Sequence, residues 1–144
     1  MSAINRIYPS DIESFAKRPH MDDYQQIAGK SAVYPGNGTL VGLWYCITKL
    51  NGEAGEAAEH IGKAFRDDGA LLQESEISDD YFVAGVLTEE RKLALVKELG
   101  DVLWYTARAA DELGFTLSGI ATVNLRKLSD RTERDTLRGS GDER

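Results

Sequence analysis

Apolar residues recur every three or four positions over several long stretches of the chain. At about 100° per residue, such positions fall on one stripe of an α-helix. The clearest stretch follows Thr39, which suits the N-cap position, and it continues to Asp67. Its apolar positions are Leu40, Leu43, Trp44, Ile47, Leu50, Ala54, Ala58, Ile61 and Phe65. This pattern predicts a long amphipathic helix with that stripe in the core.

Two further helices are predicted in the second half of the chain. One follows Thr88, with two acids in its first turn, and ends before Gly114, a residue suited to a helix C-terminus. Its predicted core stripe is Leu95, Leu99, Val102, Leu103, Thr106 and Ala110, and beside it lies a stripe of Glu98, Asp101 and Tyr105. The other starts at Thr116, and one face carries Leu117, Ile120, Ala121, Asn124 and Leu128.

The remaining segments are shorter or irregular. A helix opens at Met21 with acids in its first turn, and Pro35-Gly36-Asn37-Gly38 stops the chain after Tyr34. We predict that residues 1–20 form an N-terminal arm interrupted by two prolines, that 67–87 form an acidic loop, and that 136–144 form a disordered tail. No strand pattern stands out, so we predict an all-α bundle of four to five helices in one domain, residues 1–135.

Composition narrows the class of protein. The 144 residues carry a net charge of −7 and are 42% hydrophobic, as in an ordinary soluble domain. The negative charge disfavours nucleic acids and anionic membranes as partners. We find no apolar run of roughly 20 residues that could span a bilayer, and no secretory signal, so we expect a cytoplasmic protein. The single cysteine, Cys46, excludes an internal disulfide and a cysteine-built zinc site.

Two pairs of acids carry the candidate chemistry. Glu53 and Glu56 lie three residues apart on the first long helix, and Glu98 and Asp101 do so on the second. Positions three apart are neighbours on one helix face. A single pair of this kind is usually a solvated surface. Here Gly52, Gly55 and Gly100 accompany the acids, and each helical glycine costs about 1 kcal/mol against alanine. These glycines indicate close backbone packing or room for a ligand.

Paired carboxylates with few histidines and no cysteine pair favour a hard cation. Mg²⁺, or alternatively Mn²⁺, prefers such oxygen ligands to the nitrogen and sulfur ligands of zinc. A di-iron carboxylate bundle would need Glu-x-x-His on two helices. His60 has Ala57 three residues before it, so that class is excluded.

The motifs Leu50-x-x-Glu53-x-Gly55-Glu56-x-x-Glu59 and Lys97-Glu98-Leu99-Gly100-Asp101 resemble those of the MazG-like nucleotide pyrophosphohydrolases. That group is the all-α NTP pyrophosphatase superfamily, with the dimeric dUTPases and dCTP pyrophosphatases. Tyr24-Gln25 and Asn124-x-x-Lys127-x-x-x-Arg131 also fit, so the resemblance covers roughly residues 21–131. The segment 67–87 between the motifs is longer than in compact members.

The resemblance implies an activity and a set of residues. Glu53, Glu56, Glu98 and Asp101 would bind Mg²⁺ and catalyse hydrolysis of a nucleoside triphosphate to the monophosphate and pyrophosphate. Substrate would be bound by Lys63, Arg66, Tyr105, Asn124, Lys127 and Arg131. A dimer or tetramer is expected. Trp44 is interpreted as a core residue, and His60 as an exposed or hydrogen-bonded histidine that could also orient a ligand.

Other functions stay open at this point. A non-catalytic helical oligomer that binds metal or nucleotide would share the acids but show no turnover. A hydrolase of another nucleotide, such as an alarmone, would share the whole site, so only a substrate screen separates it. Lys63 and Arg66 are equally compatible with ordinary surface side chains.

Overall fold

Four helices make up most of the described chain in the computed structural model, which describes residues 10, 20–68, 73–74, 81–82 and 87–133. They are α1 (Met21–Gly29), α2 (Leu40–Asp67), α3 (Glu89–Glu112) and α4 (Leu117–Glu133). Strands β1 (Gln73–Glu74) and β2 (Tyr81–Phe82) pair antiparallel, with Gln73 opposite Phe82. The prediction of an all-α protein is confirmed, since two strands of two residues leave the class unchanged.

The predicted helix ends agree with the structure. Thr39, Thr88 and Thr116 each accept a hydrogen bond on Oγ1 from a backbone N–H two or three residues later, over 3.0–3.2 Å. Gly114 follows α3 with a φ of +71°, a left-handed conformation that costs glycine little. Local sequence therefore determines where these helices begin and end. The helix after Met21 is shorter than predicted, since it ends at Gly29 and a turn follows.

Several predicted segments fall wholly or largely outside the described residues. They are the N-terminal arm except residues 10 and 20, the tail 136–144, and most of the acidic loop 67–87. Within that loop, the pair β1–β2 is the difference from the prediction, because a connection read as irregular contains a short ribbon. None of the described helices is long and apolar enough to cross a membrane.

The chain divides into two compact units. Unit 1 comprises 1–43 and 107–144, and unit 2 comprises 44–106. Helices α2 and α3 each contribute residues to both units, so this division does not test the prediction of one domain over 1–135. That prediction stays open.

Unit 1 is held by a small apolar cluster and a buried polar network. Ala107, Ala110 and Leu117 form the cluster, with Tyr24 and Ile120 packed against it.

The polar network of unit 1 joins α1 to the end of α3 and the start of α4. Gln25, only 7% exposed, donates from Nε2 to Asp111 and to the carbonyl of Phe115, and its Oε1 accepts the N–H of Leu117. The Arg108 guanidinium donates to Asp111 and to the carbonyl of Gln25. Burial of these polar groups is tolerated because they bond to one another.

Unit 2 contains an antiparallel pair formed by α2 and α3. Three contacts run along it: the rings of Tyr45 and Tyr105 at 6.4 Å, His60 beside Glu98, and Arg91 bonded to Asp68. The α2 residue number rises while the α3 number falls, as an antiparallel pair requires.

The buried face of α2 differs from the predicted stripe. Trp44 is 66% exposed, Ile47 46% and Phe65 43%, so the prediction that they form the core is wrong for the single chain. Leu40 and the small residues Ala54 and Ala58 are exposed as well. The residues buried on this helix are Gly42, Cys46, Ala57 and Ala64. Small side chains permit close helix packing, and they turn the large apolar ones to the opposite side.

Helices α3 and α4 show the same effect in part. Ala110 is fully buried and Leu95, Val102 and Thr106 are half-buried, as predicted, but Leu99 and Leu103 are exposed. On α4, Leu117 is buried and Leu128 is 41% exposed. The periodicity predicted the positions of the helices correctly. It did not predict correctly which apolar residues are buried within the single chain.

Candidate metal centre

Three of the four predicted acids meet in unit 2. One carboxylate oxygen each from Glu53, Glu56 and Glu98 lies within 4.8 Å of the other two. The first two acids share a face of α2, and the third reaches the group from α3 because the two helices pack side by side. The side chains of Glu53 and Glu98 are only 12% and 19% exposed, while Glu56 is exposed. The fold therefore brings together carboxylates from two motifs that are distant in sequence.

Asp101, the fourth predicted acid, is exposed and is not one of the three closely grouped carboxylates. Its charge nevertheless acts on Tyr105, as that of Glu53 does. Burial of the ring, the neighbouring Tyr45, and the charges of Glu53 and then Asp101 raise the pKa of Tyr105 to about 12. The charges of acids from both motifs therefore act on the same phenol.

The aromatic residues at this end of unit 2 pack on one another. The ring of Tyr105 meets Trp104 edge to face at 4.8 Å and lies 6.4 Å from Tyr45. Tyr105 is half-buried among them. The hydroxyl of Tyr105 bonds to Tyr45, which favours the protonated phenol and adds to the rise of its pKa.

Two cationic or basic side chains flank the acids, and neither was among the predicted site residues. Lys49 Nζ lies 3.6 Å from Glu53 Oε1, one helical turn before it. His60 Nε2 lies 3.5 Å from Glu98 Oε1, across the helix pair. The spacing of four residues, from Lys49 to Glu53 and from Glu56 to His60, was the signal in the sequence that could have identified both.

The predicted phosphate contacts on α2 are engaged with acids of the same chain. Lys63 Nζ lies 2.9 Å from Glu59, and this pair holds the pKa of Glu59 below its usual value. Arg66 donates two hydrogen bonds to Asp67, over 2.6 and 2.7 Å. Arg66 is exposed and the Lys63 side chain is 33% exposed, and pairs so open to solvent contribute little to stability and exchange readily for another anion.

The three remaining predicted residues belong to α4, in unit 1. Asn124 is exposed, whereas Lys127 and Arg131 are half-buried. Asn124 and Lys127 line an open groove of about 480 Å³ together with Phe115, Ile120 and Val123. The groove combines an aromatic ring, an amide and an ammonium group, and a ligand with both apolar and anionic parts would find a complement for each.

The glycines beside the acids leave open space. A Cβ added at Gly52, Gly55 or Gly100 would meet no atom within 4 Å, other than the helix's own neighbouring backbone. Of the two interpretations offered by the sequence, close packing within the chain is therefore wrong. The structure agrees with the other interpretation, because there is open space beside these glycines.

The donor set fits a hard divalent cation. Three carboxylates contribute hard oxygen donors, and half-buried like charges at this separation repel one another unless a cation lies between them. Lys49 is the one ammonium that the structure pairs with this group among the described residues, and its side chain is 44% exposed. The arrangement matches Mg²⁺ or Mn²⁺ in ligand type.

Comparison with known proteins identifies the family. The model of the MazG nucleotide pyrophosphohydrolase domain matches residues 45–135. The chain is also 40% identical over 128 residues to the Gene 37 protein of Mycobacterium phage L5, covering 87% of this chain and 99% of that protein. No solved structure gives a significant match. The family match spans both acid motifs, and the chain belongs to the MazG nucleotide pyrophosphohydrolase family.

Proposed function

We propose that this protein is a Mg²⁺-dependent nucleoside triphosphate pyrophosphohydrolase, which converts a (d)NTP to the (d)NMP and pyrophosphate. One observation carries the proposal: the chain brings Glu53, Glu56 and Glu98 together from two helices, within 4.8 Å. All three lie within residues 45–135, which match a domain described as a nucleotide pyrophosphohydrolase.

The residues of this chain have distinct proposed roles. Glu53, Glu56, Glu98 and Asp101 would hold the metal. When bound, Mg²⁺ supplies a charge that organises phosphate oxygens and lowers the pKa of a bound water. In the hydrolysis, the oxygen of water bonds to phosphorus and the bond between the α- and β-phosphates breaks. The proton released by water passes to a carboxylate, and Glu53, the least exposed of the three grouped acids, is the assigned acceptor.

The cations and the polar residues would bind substrate. Lys63 and Arg66 would exchange Glu59 and Asp67 for phosphate oxygens, which offsets charge on the leaving pyrophosphate. Tyr105 borders the acids and is assigned to nucleotide contact. Asn124, Lys127 and Arg131 complete the proposed set, and the groove beside the first two is of a size suited to a small ligand.

A pyrophosphate-release screen tests the reaction. Canonical and modified (d)NTPs are compared, with Mg²⁺, with Mn²⁺ and with EDTA. We expect release of equal amounts of pyrophosphate and monophosphate, which EDTA abolishes. Release of orthophosphate alone, or metal-independent turnover, contradicts the proposal.

Thermal unfolding with added metal tests whether the folded chain binds a cation. A cation that binds only the folded chain raises its stability by about 2.7 kcal/mol at a hundred times Kd. We expect Mg²⁺ to raise the midpoint for the wild-type chain and to have no effect on Glu56→Gln. A midpoint that metal leaves unchanged contradicts the proposed metal site. A midpoint that metal raises, without any turnover in the screen, favours the alternative of a non-catalytic helical oligomer that binds metal.

We also propose that the protein acts as a homo-oligomer. In unit 2, α2 exposes Trp44 and Ile47, and α3 exposes a stripe of large apolar side chains, Leu93, Val96, Leu99 and Leu103, of which the first two are each 63% exposed. Apolar stripes of this kind are characteristic of association surfaces. Sedimentation analysis tests this: Val96→Lys and Trp44→Lys should each lower the molecular mass, whereas Lys97→Glu, beside the stripe, should not.

A further inference from the structure

His60 stands out among the side chains that the proposed reaction does not use. It lies on α2 in unit 2, half-buried, with 21% of its side chain exposed. Nε2 is 3.5 Å from Glu98 Oε1 on α3. Nδ1 is buried and has no hydrogen-bond partner among the described residues. One nitrogen therefore faces a proposed metal ligand, and the other is enclosed without a partner.

These two environments favour one tautomer of the ring. If the proton is on Nε2, it points towards a carboxylate oxygen that can accept it, and Nδ1 keeps only a lone pair. The opposite tautomer would bury an N–H donor without an acceptor and would place a lone pair against the carboxylate. The two environments thus favour the Nε2–H tautomer of His60.

We propose that His60 is a positioning residue, which orients the Glu98 carboxylate towards Glu53 and Glu56. The inference rests on the proposed function, because it concerns the metal site of that reaction. His60 itself is not part of the group of close ligand atoms. It acts through Glu98: a donor beside Glu98 Oε1 restricts the orientation of the whole carboxylate group.

A purely structural role for His60 fits the environment less well. An apolar side chain of similar volume would fill the same space and would bury no unpartnered nitrogen. Partners that fix the carboxylate and histidine ligands of metals commonly strengthen metal binding about 10- to 100-fold. A change in metal affinity, without loss of the fold, is therefore the measurement that separates the two roles.

The experiment measures Mn²⁺ binding to the full chain by calorimetry, without substrate. His60→Leu removes the donor and keeps the volume, and we expect its Kd to rise by about 10- to 100-fold. His60→Gln keeps an N–H donor of similar reach, and we expect it to restore most of the affinity. His20→Leu is the matched control, because it removes the chain's other histidine at an exposed position in unit 1. Its Kd should equal that of the wild type.

Two further measurements test whether the weaker metal binding of His60→Leu comes from a damaged fold, and which ring nitrogen carries the proton. Unfolding of metal-free His60→Leu should have a midpoint equal to or above that of the wild type, since the enclosed Nδ1 is gone. Nitrogen NMR of the metal-free wild-type chain at alkaline pH should show His60 with its proton on Nε2. His60→Leu assigns that resonance, because the chain has two histidines.

The outcomes are distinguishable. If the wild type binds Mn²⁺ and His60→Leu binds it equally well, the inference is overturned and the proposed function stands. If His60→Gln is as weak as His60→Leu, ring shape matters and the donor does not, which also overturns it. A proton on Nδ1 has the same consequence. A wild-type chain that binds no Mn²⁺ overturns both proposals together.

Discussion

The two units of this chain bury polar groups in opposite ways. In unit 1, Gln25 and Arg108 are 7% and 3% exposed, and they bond to Asp111, to each other and to backbone groups of the loop before α4. In unit 2, the half-buried carboxylates of Glu53 and Glu98 converge with Glu56, and the basic groups beside them are peripheral. In the first network, donors and acceptors of unlike character bond to one another, whereas the second is a set of like charges.

This difference separates structural from functional polar groups. A buried donor paired with an acceptor of the chain stabilises the fold, and its loss leaves an unpaired partner. Like charges held together reduce stability in the absence of a ligand, and their loss relieves repulsion. Loss of a network residue in unit 1 should therefore lower stability, whereas loss of a grouped carboxylate in unit 2 should raise it or leave it unchanged.

The largest expected effect is on turnover in unit 2. Glu56→Gln should lower kcat/KM by on the order of 10³-fold, because a ligand of the metal becomes neutral. The unfolding midpoint without metal should stay equal or rise. Pyrophosphate release and thermal unfolding measure the two quantities. Glu89→Gln, an exposed acid of the first turn of α3, serves as the control and should retain full activity.

The second effect concerns the polar network of unit 1. Arg108→Met should destabilise the chain by about 3 kcal/mol, because Asp111 and the carbonyl of Gln25 lose a buried donor. Denaturant unfolding measures it. Mn²⁺ affinity of the folded protein should be unchanged, and a variant as stable as the wild type would remove the contrast between the units.

A smaller effect appears at high pH. The pKa of Tyr105 is raised to about 12, so the unfolded chain loses this phenolic proton near pH 10 and the folded chain does so about two pH units later. Stability from this group is complete below pH 10 and is lost as pH rises from 10 to 12. At this half-buried site the loss is roughly 1 kcal/mol.

Tyr105→Phe isolates that contribution. The stability of the variant between pH 10 and 12 should decline less steeply than that of the wild type, and the ultraviolet titration should lose one phenol that ionises near pH 12. Parallel declines in the two proteins would show that another group is responsible.

The smallest effect tests the peripheral cation. Lys49→Met should lower stability by about 0.5 kcal/mol in metal-free protein, since a partly exposed ammonium leaves the neighbourhood of Glu53. Saturating Mg²⁺ should remove the difference, because the metal then neutralises the acids. A difference that persists with metal would mean that Lys49 has a separate structural contact. Urea unfolding with and without Mg²⁺ measures both values.

Local patterns predicted much of this protein. The starts of α2, α3 and α4 at Thr39, Thr88 and Thr116 follow from side-chain capping, which involves only residues within one turn. The spacing of Glu53 with Glu56 and of Glu98 with Asp101 placed each pair on one helix face. The family resemblance then paired the two motifs, and the structure brings three of these acids together.

Only the tertiary structure decided which faces are buried and which side chains meet. The periodicity of α2 marked Trp44 and Ile47 as core, yet Cys46, Ala57 and Ala64 are buried instead. Periodicity gives the angle between residues on a helix, but the covered face depends on elements distant in sequence. For the same reason, the sequence did not predict that His60 lies beside Glu98, or that Gln25 belongs to the polar network of unit 1. Those contacts exist because separate helices pack together.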